Sequence, residues 1–209
     1  MDSHQPDYFY PNLMGRIILL ALEEIVGRNG VNAVLNISSL PDFIGNYPSP
    51  NQNLEFPFRS VSRLQGSLEE MYGPRGGRGI ALRVGRACFQ HGLREFGPLF
   101  GLTDLTFRML PMQTKLKMGA NAFADIFNKY SDQRVRLEDK DKQLYWHIER
   151  CPLCWERRVD SPACHMAVGV LQEALYWASA GKYFNVEEIQ CIARGDPACT
   201  IVIDKVPMS

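Results

Sequence analysis

The 209-residue sequence lacks several features, and each absence narrows what the chain can do. It has no apolar run near the ~20 residues needed to span a bilayer; the longest, Ile17 to Leu22, stops at Glu23 and Glu24. Met1 to Gln5 lack the basic-then-apolar order of a secretory leader, so the expected location is cytoplasmic. Neither charge is in excess, with 23 basic and 23 acidic side chains. A nucleic-acid partner would want a basic surplus, so none is expected. Internal repeats and low-complexity tracts are also missing. No run matches a phosphate loop or a dinucleotide fingerprint. The Gly/Arg-rich Gly73 to Gly79 could offer backbone N–H groups to an anion, but no strand pattern precedes it, and it reads as a turn between helices. No histidine belongs to a recognised nucleophile signature. Cys88 and His91, three apart on a helix, are a Cys/His pairing that chance supplies readily.

What the chain does have is an ordinary globular composition, 45% hydrophobic and 22% charged, and cysteines collected at one end. Five of the six lie at positions 151, 154, 164, 191 and 199. In a reducing compartment such cysteines serve as thiols or metal ligands rather than disulfides. Apolar periodicity predicts helices over residues 12–27, 60–72, from about 74 to 96, 111–130 and 163–177. Alternation predicts a hairpin of 134–138 with 144–148, and a second pair of 183–192 with 200–206. Residues 40–58 carry four prolines and read as a long irregular segment, either a lid or a surface excursion. Helices segregated from an antiparallel sheet mean an α+β fold. The expectation is a single domain over 1–209, mainly helical from 10 to 130 and strand-rich, zinc-binding from 131 to 206.

Zinc favours thiolates and imidazoles in a tetrahedron and accepts carboxylates. Cys191 and Cys199 fall on opposite arms of a predicted hairpin, about 5 Å apart. Glu188 lies three residues before Cys191, so both can face one ion only if the strand bulges or ends between them. Cys164, at the start of the preceding helix, could complete the set. Cys151, Cys154 and His165 are possible substitutes. The alternatives are plain: buried cysteines are often simply small apolar residues, and a Cys-x-x-Cys can be a redox pair, although the surrounding thioredoxin-like pattern is missing. Trp146, Tyr145 and His91 are the candidate contacts for a ligand held between helices and sheet.

At Cys164-His165, Glu188 to Cys191, Ala193 to Asp196 and Cys199, the sequence resembles the 4-vinyl-reductase-type domain family over roughly its last 55 residues. The resemblance implies an α+β ligand-binding fold shared with aromatic-sensing domains of transcription activators and with vesicle-tethering subunits, where homodimers are expected. It implies a structural zinc held by Cys164, Glu188, Cys191 and Cys199 beside an aromatic pocket that includes Trp146. Pro152-Leu153-Cys154 followed by Cys164-His165 is similar to the branch associated with 8-vinyl reduction in bacteriochlorophyll synthesis, which implies a tetrapyrrole ligand. A reductase, or a subunit of one, is the alternative to a carrier, sensor or accessory protein. Nicotinamide, flavin and iron–sulfur signatures are absent, which favours binding over catalysis. Cys151 and the segment 40–58 depart from the family pattern.

Overall fold

The computed structural model describes residues 7–100 and 109–208. The leaderless reading of Met1 to Gln5 concerns residues outside that range. Two bent helices, α1 (Asn12–Ile37) and α2 (Phe58–Phe96), are followed by α3 (Met112–Tyr130) and, after a strand pair, by α4 (His165–Ala178). Each bend occurs at a glycine. Gly27 and Gly73 both adopt φ 73° and ψ 167°, a combination open essentially only to glycine. Pro74 then opens the second half of α2, where no N–H is required. The predicted turn at Gly73 is therefore a bend that lets one helix continue in a new direction. The predicted end at Gly27 is likewise a bend, after which α1 runs on to Ile37.

A four-stranded antiparallel sheet has the order β3 (Arg134–Asp139), β4 (Gln143–Arg150), β6 (Cys199–Asp204), β5 (Val186–Gln190). The fold is α+β, with helices on this sheet. Strand alternation sorts the faces. Leu144, Trp146 and Ile148 of β4 and Cys199, Ile201 and Ile203 of β6 are buried towards the helices. Trp146 lies opposite Ile201, and Ile148 opposite Cys199.

The segment 40–58 is neither a lid nor a loose excursion. Pro41–Phe43 form one 3-10 turn, and Leu54–Pro57 form β2, which pairs with β1 (Phe9–Pro11). The intervening residues are tied to α1. Tyr47 donates to Glu23 at 2.7 Å, Arg16 donates to the Pro48 carbonyl at 3.2 Å, and Phe43 packs on Phe56 with ring centroids 5.4 Å apart.

Helices α2 and α4 make backbone contact. A Cβ built on Gly169 would lie 2.1 Å from the Leu82 carbonyl oxygen, and one on Gly85 would lie 2.1 Å from that of Met166. Glycine is required at both positions because no side-chain atom fits between the helices. Gln65 of α2, fully buried, accepts the Met166 N–H at 3.3 Å, satisfying one of the orphan donors of the α4 terminus.

Candidate metal centre and adjoining cavity

The five C-terminal cysteines converge beneath the start of α4. Cys164 is its N-cap residue; Cys151 and Cys154 come from the segment leaving β4; Cys191 and Cys199 flank the turn between β5 and β6. All five are buried. Two groups of four donor atoms lie within 4.8 Å of one another: Cys151, Cys154, Cys164 and Cys199, and Cys164, Glu188, Cys191 and Cys199. The Sγ–Sγ separations are 3.5 Å for Cys151–Cys164, 3.4 Å for Cys154–Cys199, 3.6 Å for Cys164–Cys199, and 4.0 Å from Cys191 to each of Cys164 and Cys199. A tetrahedral ion with zinc–sulfur bonds of ~2.3 Å sets its sulfurs ~3.8 Å apart. The observed spacings straddle that value, so the donor set fits such an ion.

Local structure explains how Glu188 joins. The β5 register shifts between Glu188 and Gln190, and the strand ends there, so residues 188 and 191 both turn inward despite their odd spacing. This is the irregularity that the sequence requires of them. Glu188 Oε2 accepts the Cys164 N–H at 2.7 Å, whereas its Oε1 is buried without a hydrogen-bond partner. Burial, followed by the negative charge of Cys191, pushes the Glu188 carboxyl up to about 8. The Ile192 N–H donates to Cys199 Sγ at 3.3 Å, and the α4 terminus favours negative charge at Cys164. Asp196 secures the turn by accepting the Cys191 N–H at 2.8 Å. Hydrogen bonds from Cys151 and the other thiols hold Cys154 well below the usual thiol range, while those same contacts, Cys151 first, push Cys199 well above it. Such groups titrate as a set.

His165 is in neither group; half-buried, it is held below the usual imidazole value by burial and then by the Arg78 charge.

A cavity of about 120 Å³ lies between the helices and the sheet. Its walls come from α1 (Met14, Ile17, Ile18), α2 (Val61, Phe89, Phe96), α3 (Phe123, Phe127), β4 (Trp146, Ile148) and α4 (Met166, Leu171), with Pro152 and Leu153 between Cys151 and Cys154. Trp146 meets Phe123 at 5.5 Å and stands edge-on to Phe127 at 6.3 Å between ring centroids. The polar lining is sparse. Tyr10 donates to Gln133 within the wall, and the Cys88 thiol is pushed up to about 12 by burial, with Glu24 a lesser cause.

Of the three candidate ligand contacts, the cavity takes Trp146. Tyr145, one residue along β4, faces away: it donates to Gln143 at 2.9 Å and stacks on His147. Its neighbour His147 bonds Thr200 at 3.0 Å on that same outer face. His91 is engaged with Glu24 at 3.0 Å and does not line the cavity. Sequence reasoning passed over Tyr10, Gln133 and the phenylalanines of α2 and α3. Alternation along β4 was the signal that separates Trp146 from Tyr145.

Comparison with known proteins places both features. Over 68 residues the chain is 34% identical to an uncharacterized protein of Methanocaldococcus jannaschii, covering 32% of this chain and about a third (37%) of that protein's length. In three dimensions it is similar to an H-NOX protein from S. oneidensis solved in the Fe(II)NO ligation state, with TM-score 0.60, 13% identity, and 93% and 99% of the two chains covered. It is also similar to the phenol-responsive sensory domain of the transcription activator PoxR solved with phenol, with TM-score 0.50, 20% identity, and 69% and 72% covered. These likenesses establish an architecture used by small-molecule-binding domains. Residues 144–205, which carry β4, β5, β6, α4 and all five clustered cysteines, match the 4-vinyl-reductase-type domain profile, and this part of the chain is a domain of that family.

Proposed function

We propose that this protein binds a small, largely apolar molecule of about one aromatic ring, in a cavity whose sheet wall is held in shape by structural zinc. The carrying observation is the cavity itself: apolar, aromatic-lined and about 120 Å³ in volume. An apolar protein cavity of about 150 Å³ suffices for benzene. The phenol named for the PoxR sensory domain is a guest of that class. Zinc with four protein donors keeps no position for water, which suits a staple rather than a catalyst. A reducing cytoplasm would keep the thiols available to it.

Isothermal titration and Trp146 fluorescence with phenol, benzene and toluene test the reading. Saturable binding of single-ring compounds is expected. Ile18→Phe fills the cavity, so it should abolish that binding while the protein still melts cooperatively. A tetrapyrrole, implied by the resemblance around Pro152 to His165, is far larger than the cavity. A saturable porphyrin complex formed in preference to single-ring compounds overturns the size assignment. Native mass spectrometry of the same samples reports whether two copies associate.

The Tyr10–Gln133 pair supplies the polar end of the cavity. A ring bearing a hydroxyl can join that pair, whereas a bare hydrocarbon cannot. Gln133→Leu should therefore weaken phenol by about 1 kcal/mol, roughly fivefold, and leave benzene nearly unchanged. Equal losses for both ligands would show that the pair plays no part in selection.

Zinc uptake should depend on pH with a definite sign. In the metal-free protein Glu188 holds its proton up to about 8, well above the usual carboxylate range. Its contribution to metal-free stability is fully present in acid and is lost as pH rises from that range through 8. Zinc needs the ionised carboxylate, so binding below pH 8 expels this proton along with those of the thiols. Affinity measured between pH 6 and 8.5 should tighten as pH rises, and Glu188→Gln should flatten the slope by up to about one proton. An unchanged slope would remove Glu188 from the ligand set.

A further inference from the structure

The cysteine cluster holds more donors than one tetrahedral ion can use. An ion on Cys164, Glu188, Cys191 and Cys199 leaves Cys151 and Cys154 idle, although both are buried and their sulfurs lie 3.5 Å and 3.4 Å from Cys164 and Cys199. An ion on the four cysteines Cys151, Cys154, Cys164 and Cys199 instead leaves Cys191 unused and Glu188 Oε1 buried without a partner. Burying idle polar donors is costly, so neither single-ion arrangement accounts for the cluster.

We infer that the cluster is a binuclear site in which two divalent ions share the Cys164 and Cys199 thiolates as bridges. The inference rests on the metal-binding reading above and extends it from one ion to two. The two donor groups share these two residues and no others. The Cys164–Cys199 separation of 3.6 Å is close to the ~3.8 Å edge of a zinc–thiolate tetrahedron, so two tetrahedra can meet along that edge. Cys151 and Cys154 complete one ion with four sulfurs. Cys191 and Glu188 complete the other with three sulfurs and one oxygen. All six donors then have a role, including the orphaned Glu188 oxygen.

The charges agree. Two divalent ions bring four positive charges against six from five thiolates and a carboxylate, a residue of two negative charges. Arg59, Arg157, Arg158 and Arg194 line the surface cleft that also contains Cys151 and Cys154. Arg157 Nη1 is buried there without a hydrogen-bond partner. The α4 terminus and the Ile192 N–H add partial positive charge at the two bridging sulfurs. Metal uptake is an exchange without redox change: two M²⁺ displace up to six protons, which pass to solvent, as five thiols and one carboxyl become ligands.

The test loads the freshly reduced full chain with Zn²⁺ without oxygen and counts ions per chain by native mass spectrometry, with ¹¹³Cd NMR on a cadmium-loaded sample. Two ions are expected, with two ¹¹³Cd resonances at the differing shifts of all-sulfur and sulfur–oxygen sites, mutually coupled through the shared sulfurs. The Cys151→Ser/Cys154→Ser and Glu188→Gln/Cys191→Ser double variants should each keep one ion. One ion in the unaltered chain overturns the binuclear site but leaves the zinc staple standing. No ion overturns both. Two uncoupled resonances refute the bridges. Iron with acid-labile sulfide, or a mass lowered by disulfide formation at Cys151–Cys164 or Cys154–Cys199, also overturns the proposal.

Discussion

Cys199→Ser is expected to strip the protein of firmly bound metal and to lower its melting midpoint by roughly 10 °C or more. Cys199 belongs to both donor groups, and it starts the central strand β6, opposite Ile148. Metal-binding free energy in structural zinc sites is folding free energy and reaches ~10 kcal/mol or more. Even a loss of about 4 kcal/mol is large against total stabilities of ~5–15 kcal/mol, and in a chain of this size it shifts the midpoint by roughly 8–16 °C. Calorimetry with and without EDTA isolates the cause. The treated wild type and the variant should melt at nearly the same temperature. If EDTA leaves the wild type unmoved while the variant still collapses, the destabilisation comes from packing at Cys199 and not from metal.

Gly169→Ala adds one methyl group and is expected to cost about 3 kcal/mol, at the upper end of what overpacking usually does. The new carbon would lie 2.1 Å from the Leu82 carbonyl oxygen, and backbone cannot rotate aside as a side chain can. Helices α2 and α4 must separate, and with them Phe89 and Leu171, which face the cavity from either side. Ligand affinity should fall together with stability. Gly79→Ala is the control: its added carbon meets nothing within 4 Å, and alanine in a helix interior stabilises by about 0.5–1 kcal/mol over glycine. Urea unfolding of the pair should therefore move in opposite directions. Equal behaviour would mean that the helices are not held at backbone contact.

What could be read from the sequence followed local periodicity. The helices, the sheet hairpins and the convergence of Cys164, Glu188, Cys191 and Cys199 all arise from spacings within a few turns or one hairpin. Even the strand irregularity at Glu188 was implied by its odd offset from Cys191. The β1–β2 ribbon was not legible, because Phe9–Pro11 and Leu54–Pro57 are too short and too proline-rich to alternate, and they pair only through long-range contact. The Gly85–Gly169 contact was hidden for the same reason: an isolated glycine in a helical pattern does not say what approaches it. The wall formed by Phe89, Phe123 and Trp146 draws on three separate elements, so no single window of sequence displays it.

Three cavity residues are chain neighbours of metal donors. Leu153 precedes Cys154, Met166 follows Cys164 by two, and Ile148 pairs across strands with Cys199. A guest pressing on those side chains shifts the donors, and an ion tightening on the donors shifts the side chains. Thermodynamic linkage makes any such effect mutual: the factor by which metal changes guest affinity equals the factor by which guest changes metal affinity. Occupancy of the cavity is then also a measure of how much metal the surroundings supply.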